Sequence, residues 1–319
     1  MAATAGVPTL LELRQLRPEL LLSLLEEESE TWQREMLWDF RPSSELVRRF
    51  IGMQALNGHA LCVRDEVIGY SYFVCEEYKG LVGDLYVRNG FRSAETEARL
   101  LEATVRSLLA MPQLRRVESQ LMLMGQEGQS PLPFPDLAQA FPRDYMVAEL
   151  GALGELKERG NPAPARVELW SDEFTAQAAQ LIADGYVGHV DADINDQYRS
   201  LAGARRFLHN IVQYPGCGSF FQPASLAVFD PATGLMIGVC LTSLIAFDTG
   251  HVTQVCVHPQ YRGLGLGYEM MRRSLKSLHQ SGCRHASLTV TSSNEDARTL
   301  YERIGFSTRR VFNAMVWEL

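Results

Sequence analysis

The sequence predicts an α/β (α+β) fold used twice along the chain. Strand-like and helix-like patterns mix in one order, that order occurs in both halves, and a Gly- and Pro-rich stretch separates them. A chain of 319 residues also exceeds what one hydrophobic core usually organises. The expected division is 1–150, a connection at 151–165, and 166–319. Gly151, Gly154, Gly160, Pro162 and Pro164 mark that connection.

In the second half, Ser171 to Asp184 and Gln197 to Val212 carry helical apolar spacing. A hairpin is expected from Ser225–Phe229, the turn Asp230–Gly234, and Leu235–Leu244. A strand over Val252–Val257, a helix over Gly265–Gln280, and a strand over Ala286–Thr291 follow. Helix Glu295–Ile304 and strand Val311–Leu319 close the chain. The first half repeats the order: hairpin Ala60–Arg64 and Ile68–Cys75, strand Leu81–Val87, helix Ala94–Ala110, strand Val117–Met124. Its last strand, Tyr145–Leu150, sits where Ala314–Leu319 sits in the second half.

A net charge of -8 argues against a general nucleic-acid binder, which needs a basic excess. The six cysteines form no CxxC and no Cys/His metal spacing, so neither a metal nor a disulfide framework is expected. Several stand in apolar runs such as Val255-Cys256-Val257, which fits a reducing, cytoplasmic setting. Leu20 to Leu25 runs straight into Glu26-Glu27-Glu28 and reads as a helix face, neither a signal peptide nor a membrane span.

The chemistry concentrates between Gln254 and Gly267: Gln-Val-Cys-Val-His-Pro-Gln-Tyr-Arg-Gly-Leu-Gly-Leu-Gly. A strand stops at Pro259, and a glycine-rich turn then opens a helix. Gly263, Gly265 and Gly267 permit unusual φ and close backbone approach, and free N–H groups at a helix start suit a pyrophosphate. The spacing is not the dinucleotide fingerprint G-x-G-x-x-G. Nor is it a P-loop, because Tyr268 follows Gly267.

Arg262-x-x-Gly265-x-Gly267 after Val257-His258-Pro259 resembles the acyl-CoA signature of the GNAT N-acetyltransferase superfamily. Asn294 to Phe306 resembles that superfamily's second signature, at about the expected separation. The resemblance covers roughly Arg166 to Leu319. It implies tandem acyl-CoA N-acyltransferase-like domains, each a mixed, mainly antiparallel sheet flanked by helices, with acetyl-CoA as co-substrate. The implied cofactor contacts are Val255, Val257, Arg262, Gly263, Leu264, Gly265, Leu266, Gly267, Asn294 and Tyr301. It further implies that the thioester lies where the strand ending near Val257 splays from its neighbour, with an N–H of Cys256 or Val257 polarising the carbonyl. Tyr301 falls where the family places the acid that protonates the leaving thiolate. Asn294 also reads as an N-cap, and Tyr301 as core packing.

An alkyl amine acceptor is an ammonium at neutral pH, with a pKa of about 10, and must lose a proton before attack. His251 falls where several relatives carry a base. Its other reading is an idle residue at a strand start. Asp248 and Gln254 are candidates for binding the acceptor, while Thr253 alternates with them. The loop Val187 to Tyr198 carries His189, Asp191, Asp193 and Asn195. Its carboxylates read as an acceptor wall or as a solvated acidic surface, with Asp193 or Asn195 as a helix cap.

In the first half, Val87 to Ala94 keeps Arg88 and Gly90 but lacks R-x-x-G-x-G, and Pro131–Pro135 replaces the second signature. That half is therefore expected to keep the fold without productive acetyl-CoA binding. The implied reaction is direct transfer to a primary amine of a small molecule. A covalent route through Cys256 is disfavoured because no base adjoins it in sequence. A protein-directed acetyltransferase and a non-catalytic acyl-CoA sensor are the rival readings, and oligomeric state is left open.

Overall fold

The computed structural model describes residues 8–125, 132–154, 156–157, 165–214 and 216–319. Gly160, Pro162 and Pro164 of the expected connection, and Pro131 of the expected proline run, lie outside the described residues. Two compact units emerge. The first comprises Met1–Arg143 with Val311–Leu319, and the second Asp144–Arg310. Each is α/β, so the fold class expected from the mixed pattern holds.

The first unit contains strands β1 (Thr9–Glu12), β2 (Asn57–Val63), β3 (Glu66–Glu76), β4 (Lys79–Val87) and β5 (Arg116–Gln120), with helices α1 (Leu22–Met36), α2 (Arg41–Gly52) and α3 (Ala94–Leu109). Strand β6 (Ala138–Glu149) begins in this unit and ends in the second. The second unit continues with β7 (Arg166–Leu169), α4 (Thr175–Gly185), α5 (Val190–Ile194), α6 (Leu201–Gln213), β8 (Ser219–Phe220), β9 (Leu226–Phe229), β10 (Met236–Ala246), β11 (Thr249–Val257), α7 (Leu266–Gln280), β12 (His285–Thr291) and α8 (Glu295–Ile304). The last strand, β13 (Ser307–Glu318), returns its final residues to the first unit.

Alternating apolar residues along these strands set the register, because a slip of one residue would turn each core side chain to the opposite face. In the first unit the order is β1-β2-β3-β4-β5-β13, antiparallel except for the parallel pair β4/β5. Its core gathers Leu61, Ile68, Leu85, Leu100, Val105, Leu108, Met315 and Trp317. In the second unit the order is β7-β9-β10-β11-β12-β6, with β8 on β10 and the pair β11/β12 parallel. One face of that sheet packs on α7 and α8 through Met270, Met271, Leu275, Leu278 and Ile304. The other packs on α4 and α6 through Leu181, Ile182, Leu208 and Cys256.

Helix α2, strand β7 and the short α5 were not anticipated. Among the described residues no helix is long and apolar enough to cross a membrane, and no group of three metal-ligating side chains converges.

Candidate active site

The site begins with a parting of strands. β11 and β12 pair only from Thr249↔His285 to Val252↔Leu288, yet β11 runs on to Val257 and β12 to Thr291. Beyond Val252 the two strands therefore separate, and a bulge at Thr253 in the β10/β11 ladder accompanies the turn-away. Thr253 Oγ1 donates to Leu241 O at 3.0 Å, anchoring the bulge.

Hydrogen-bonded pairs alternate along an antiparallel ladder. The His258 N–H donates to Ile237 O at 2.9 Å, and Cys256 lies opposite Val239. His258 and Cys256 thus turn their amides toward β10, while Val255 and Val257 turn theirs into the gap. Of the two amides expected at the carbonyl, only that of Val257 faces the gap. The Cys256 amide belongs to the β10 ladder, and Val255 supplies a second donor.

The glycine turn follows. Gly263 and Gly265 adopt φ of 76° and 82°, and a Cβ at either would meet nothing within 4 Å. Gly265 is the N-cap of α7 and has no side chain to close it. The first helical bond is Glu269 N–H to Gly265 O, so the amides of Leu266 and Gly267 have no acceptor within the helix. The first-turn acid, Glu269, is neutralised by Arg272 and Arg273. These uncapped amides beside open space fit the pyrophosphate of a coenzyme A. The Arg262 N–H is committed to Pro259 O, and its side chain ties Gly185 O (2.6 Å) and Val257 O (3.3 Å) together. Leu264 lies in the exposed turn, and Leu266 is buried at the start of α7. A cavity of about 250 Å³, lined by Tyr268, Leu300 and Arg303 among others, adjoins the turn between α7 and α8.

Asn294 caps α8, accepting from Ala297 N–H at 3.3 Å, and its Nδ2 lies 3.3 Å from His189 Nε2. Two turns later, Tyr301 packs against the α7-side core and meets Phe306 edge-on. Burial first, then Cys240 and Asp191, push its phenol well above the ordinary range and keep it protonated.

Cys256 lies elsewhere. Its thiol donates to Leu181 O at 3.7 Å on the α4 face, and burial pushes it up to about 12. It is a packed thiol, and the structure brings neither its sulfur nor its amide to the gap. His251 sits in the paired part of β11, one residue before the parting, 7% exposed and stacked on Tyr145. Its Nδ1 lies 2.9 Å from Ser287 Oγ, whose hydroxyl donates to Gly250 O. A hydroxyl committed to Gly250 O can accept from Nδ1–H, the tautomer in which Nε2 carries no proton. Asp248 is taken by Arg284 at 2.7 Å, at the far end of β11 from the gap.

Gln254 bonds Tyr186 (2.9 Å) and Tyr198 (3.3 Å), whose rings stack at 4.3 Å. In the acidic loop, Asn195 caps the following turn through Gln197 N–H, and Asp193 meets Arg199. Asp191 turns inward to accept from Thr291 Oγ1. Neither Tyr186 nor Thr291 carries a local sequence signal, since each is placed by tertiary contacts alone.

The first unit offers an internal contrast. β4 and β5 also pair for only four residues, Lys79–Val82 on Arg116–Ser119. Here Ser93 closes the helix start, its Oγ accepting from Thr96 N–H. Glu95 and Glu97 occupy the first turn, and Glu97 also takes Arg92 and the Gly125 N–H. An anion would meet a capped, acidic helix start.

Residues 192–306 match the Acetyltransferase (GNAT) family. An N-alpha-acetyltransferase (MAK3) of Arabidopsis thaliana is 37% identical over 57 residues, which is 18% of this chain and 30% of that protein. The chain spans between 17% and 40% of the lengths of the curated relatives it matches. Among solved structures, a GCN5-related N-acetyltransferase from Sphaerobacter thermophilus superposes with a TM-score of 0.66 at 14% identity, over 98% of this chain and 95% of that one. A tandem GNAT protein from the clavulanic acid pathway gives a TM-score of 0.59 at 15% identity, covering 98% of each chain. At these identities the superpositions bear on fold.

Proposed function

We propose, on the premise that the second unit carries an acetyltransferase domain of the GNAT family, that this protein transfers an acetyl group from acetyl-CoA directly to a primary amine of a small molecule. The observation that carries this reading is the parted β11/β12 pair, with two strand amides turned into the gap, uncapped helix amides beyond it and Tyr301 packed on the same core as Val255 and Val257. Acetyl-CoA supplies an acetyl group activated as a thioester. The amides of Leu266 and Gly267 hold its pyrophosphate, and the Val255 or Val257 N–H polarises the carbonyl.

The acceptor arrives as an ammonium, and His251 Nε2 takes one proton from it. The nitrogen then bonds to the carbonyl carbon as the carbon–sulfur bond breaks. The Tyr301 hydroxyl gives its proton to the sulfur and regains one from the nitrogen. An amide, a thiol and one proton released by way of His251 balance the step. The thiol of Cys256 takes no part.

The capped, acidic start of α3 supports a first unit without productive acetyl-CoA binding. A second molar equivalent of CoA bound against Val87 to Ser93 would refute that part. A peptide amino terminus is the second acceptor class, favoured by the relationship to the Arabidopsis N-alpha-acetyltransferase. The test is a panel of alkyl amines, aryl amines and peptide amino termini with acetyl-CoA, read by thiol release and product mass. Failure to acetylate any amine, with CoA bound, would leave an acyl-CoA sensor in its place.

A further inference from the structure

The three buried carboxylates of the second unit, Asp144, Asp248 and Glu269, each bind arginine: Arg298, Arg284, and Arg272 with Arg273. Asp191 is nearly as enclosed, its side chain 14% exposed, yet among the described residues no lysine or arginine meets it. The nearest nitrogen that could be cationic is His189 Nδ1, at 3.8 Å. That nitrogen lies 3.1 Å from the Asp191 backbone N and Nε2 lies 3.3 Å from Asn294 Nδ2, so both ring nitrogens are engaged elsewhere and 3.8 Å is too long for a hydrogen bond to the carboxylate. Arg199, the cation of the same loop, goes to Asp193 and to Ala192 O. A carboxylate left this enclosed without a countercharge is costly for a purely structural group.

Its position says where a countercharge would come from. Thr291 Oγ1 donates to Asp191 Oδ1 and pins the carboxylate beside the last residue of β12, where the strands have parted. Two charged or polar neighbours act on the Tyr301 phenol from opposite sides of the sheet. Cys240 belongs to the α7-side core, whereas Asp191 stands on α5 beside the α4 face. The Tyr186 ring, edge-on to His189 at 5.1 Å, borders the same place.

We infer that Asp191 is the acceptor-recognition residue: its carboxylate receives the ammonium of the incoming amine and selects acceptors that arrive charged. This rests on the proposed acetyl transfer and names the acceptor class for it. Asp191 is a positioning residue and not the proton acceptor, because a nearby carboxylate favours the charged form of an amine. It lowers KM for ammonium acceptors and leaves deprotonation to His251.

The test compares wild type with Asp191→Asn on 2-phenylethylamine, charged at neutral pH, and aniline, uncharged. Asparagine keeps an oxygen for Thr291, and calorimetric CoA affinity checks that the donor side is intact. KM for 2-phenylethylamine should rise about tenfold or more, the loss of one charge-assisted hydrogen bond, with kcat within about threefold. KM for aniline, where it is turned over, should move less than about twofold. His251→Gln should show the opposite split, with kcat falling and KM held. An unchanged KM for the charged amine in Asp191→Asn, or equal shifts for both amines, overturns the inference. Wild type that acetylates only uncharged amines also overturns it and leaves the acetyltransferase reading standing. Wild type that acetylates no amine of the full panel removes both.

Discussion

Replacing Gly267 by alanine pulls apart two reasons for a glycine at that position. Gly267 is the second residue of α7, and its φ lies outside the left-handed region. A Cβ there would stand 3.4 Å from Leu300 Cδ2 and 3.9 Å from Val257 Cγ2, ordinary contact with nothing to displace. Alanine exceeds glycine by about 0.8–1 kcal/mol inside a helix, and about half of that is a fair share for a first-turn position. Gly267→Ala should therefore be stabilising by about 0.5 kcal/mol, a rise in Tm of about 1–2 °C. The same methyl fills the slot between the end of β11 and α8, beside the amides assigned to the pyrophosphate. Losing close approach to one such amide should weaken CoA about tenfold. Thermal denaturation without ligand, with calorimetry against CoA, reads both numbers from one variant. A more stable protein that binds CoA as tightly as wild type would refute the glycine-turn assignment. Gly265→Ala is the companion, because φ of 82° there costs an alanine about 1–2 kcal/mol even though its Cβ meets nothing.

Tyr301→Phe should lower kcat by about 10²-fold or more with CoA affinity nearly unchanged, measured at saturating acetyl-CoA; full turnover would remove its acid role. Cys256→Ala should cost about 1 kcal/mol by denaturant titration and leave turnover intact, since the buried thiol lies on the α4 face. In the first unit, Glu28 is held well above its ordinary pKa by burial and by Asp84. A raised carboxyl pKa contributes stability that is fully present below the unfolded value, near 4.5, and is lost as pH rises through the folded value. Glu28→Gln removes that titration, so its stability relative to wild type should improve as pH rises from about 5 toward the raised folded pKa; a difference independent of pH would contradict the buried acid pair.

Much of the donor side was legible in the sequence because it is local. A proline ending a strand, glycines in a turn and Asn294 before a helix declare themselves within a few residues, and all fall where their spacing places them. The parting of β11 from β12 is different, for it depends on a register between strands whose pairing ends at Val252 and Leu288. The assignment of amides also needed that ladder: Cys256 and Val257 are neighbours in sequence, yet their N–H groups point opposite ways. Asp191 stood in a loop rich in acids, and nothing local separates it from Asp193. What distinguishes them is a hydroxyl on Thr291, a hundred residues away. Helix α2 went unread although Leu46, Val47, Phe50 and Ile51 form an apolar stripe at helical spacing, of which Val47 and Ile51 are buried and Leu46 and Phe50 exposed.

The return of the last strand to the first unit has a consequence for how the chain is made. Ala314–Glu318 pairs with Arg116–Gln120, and Trp317, fully buried there, donates its indole N–H to Pro133 O. Val117 and Trp317 are partners across two hundred positions, so the loop-closure cost is met late and the topology is slow. A ribosome must deliver the residues up to Glu318 before the first unit can finish its sheet. Until then the unpaired edge of β5 stays open to any strand that passes. Deleting residues 311–319, far in sequence from α1, should therefore unfold the first unit.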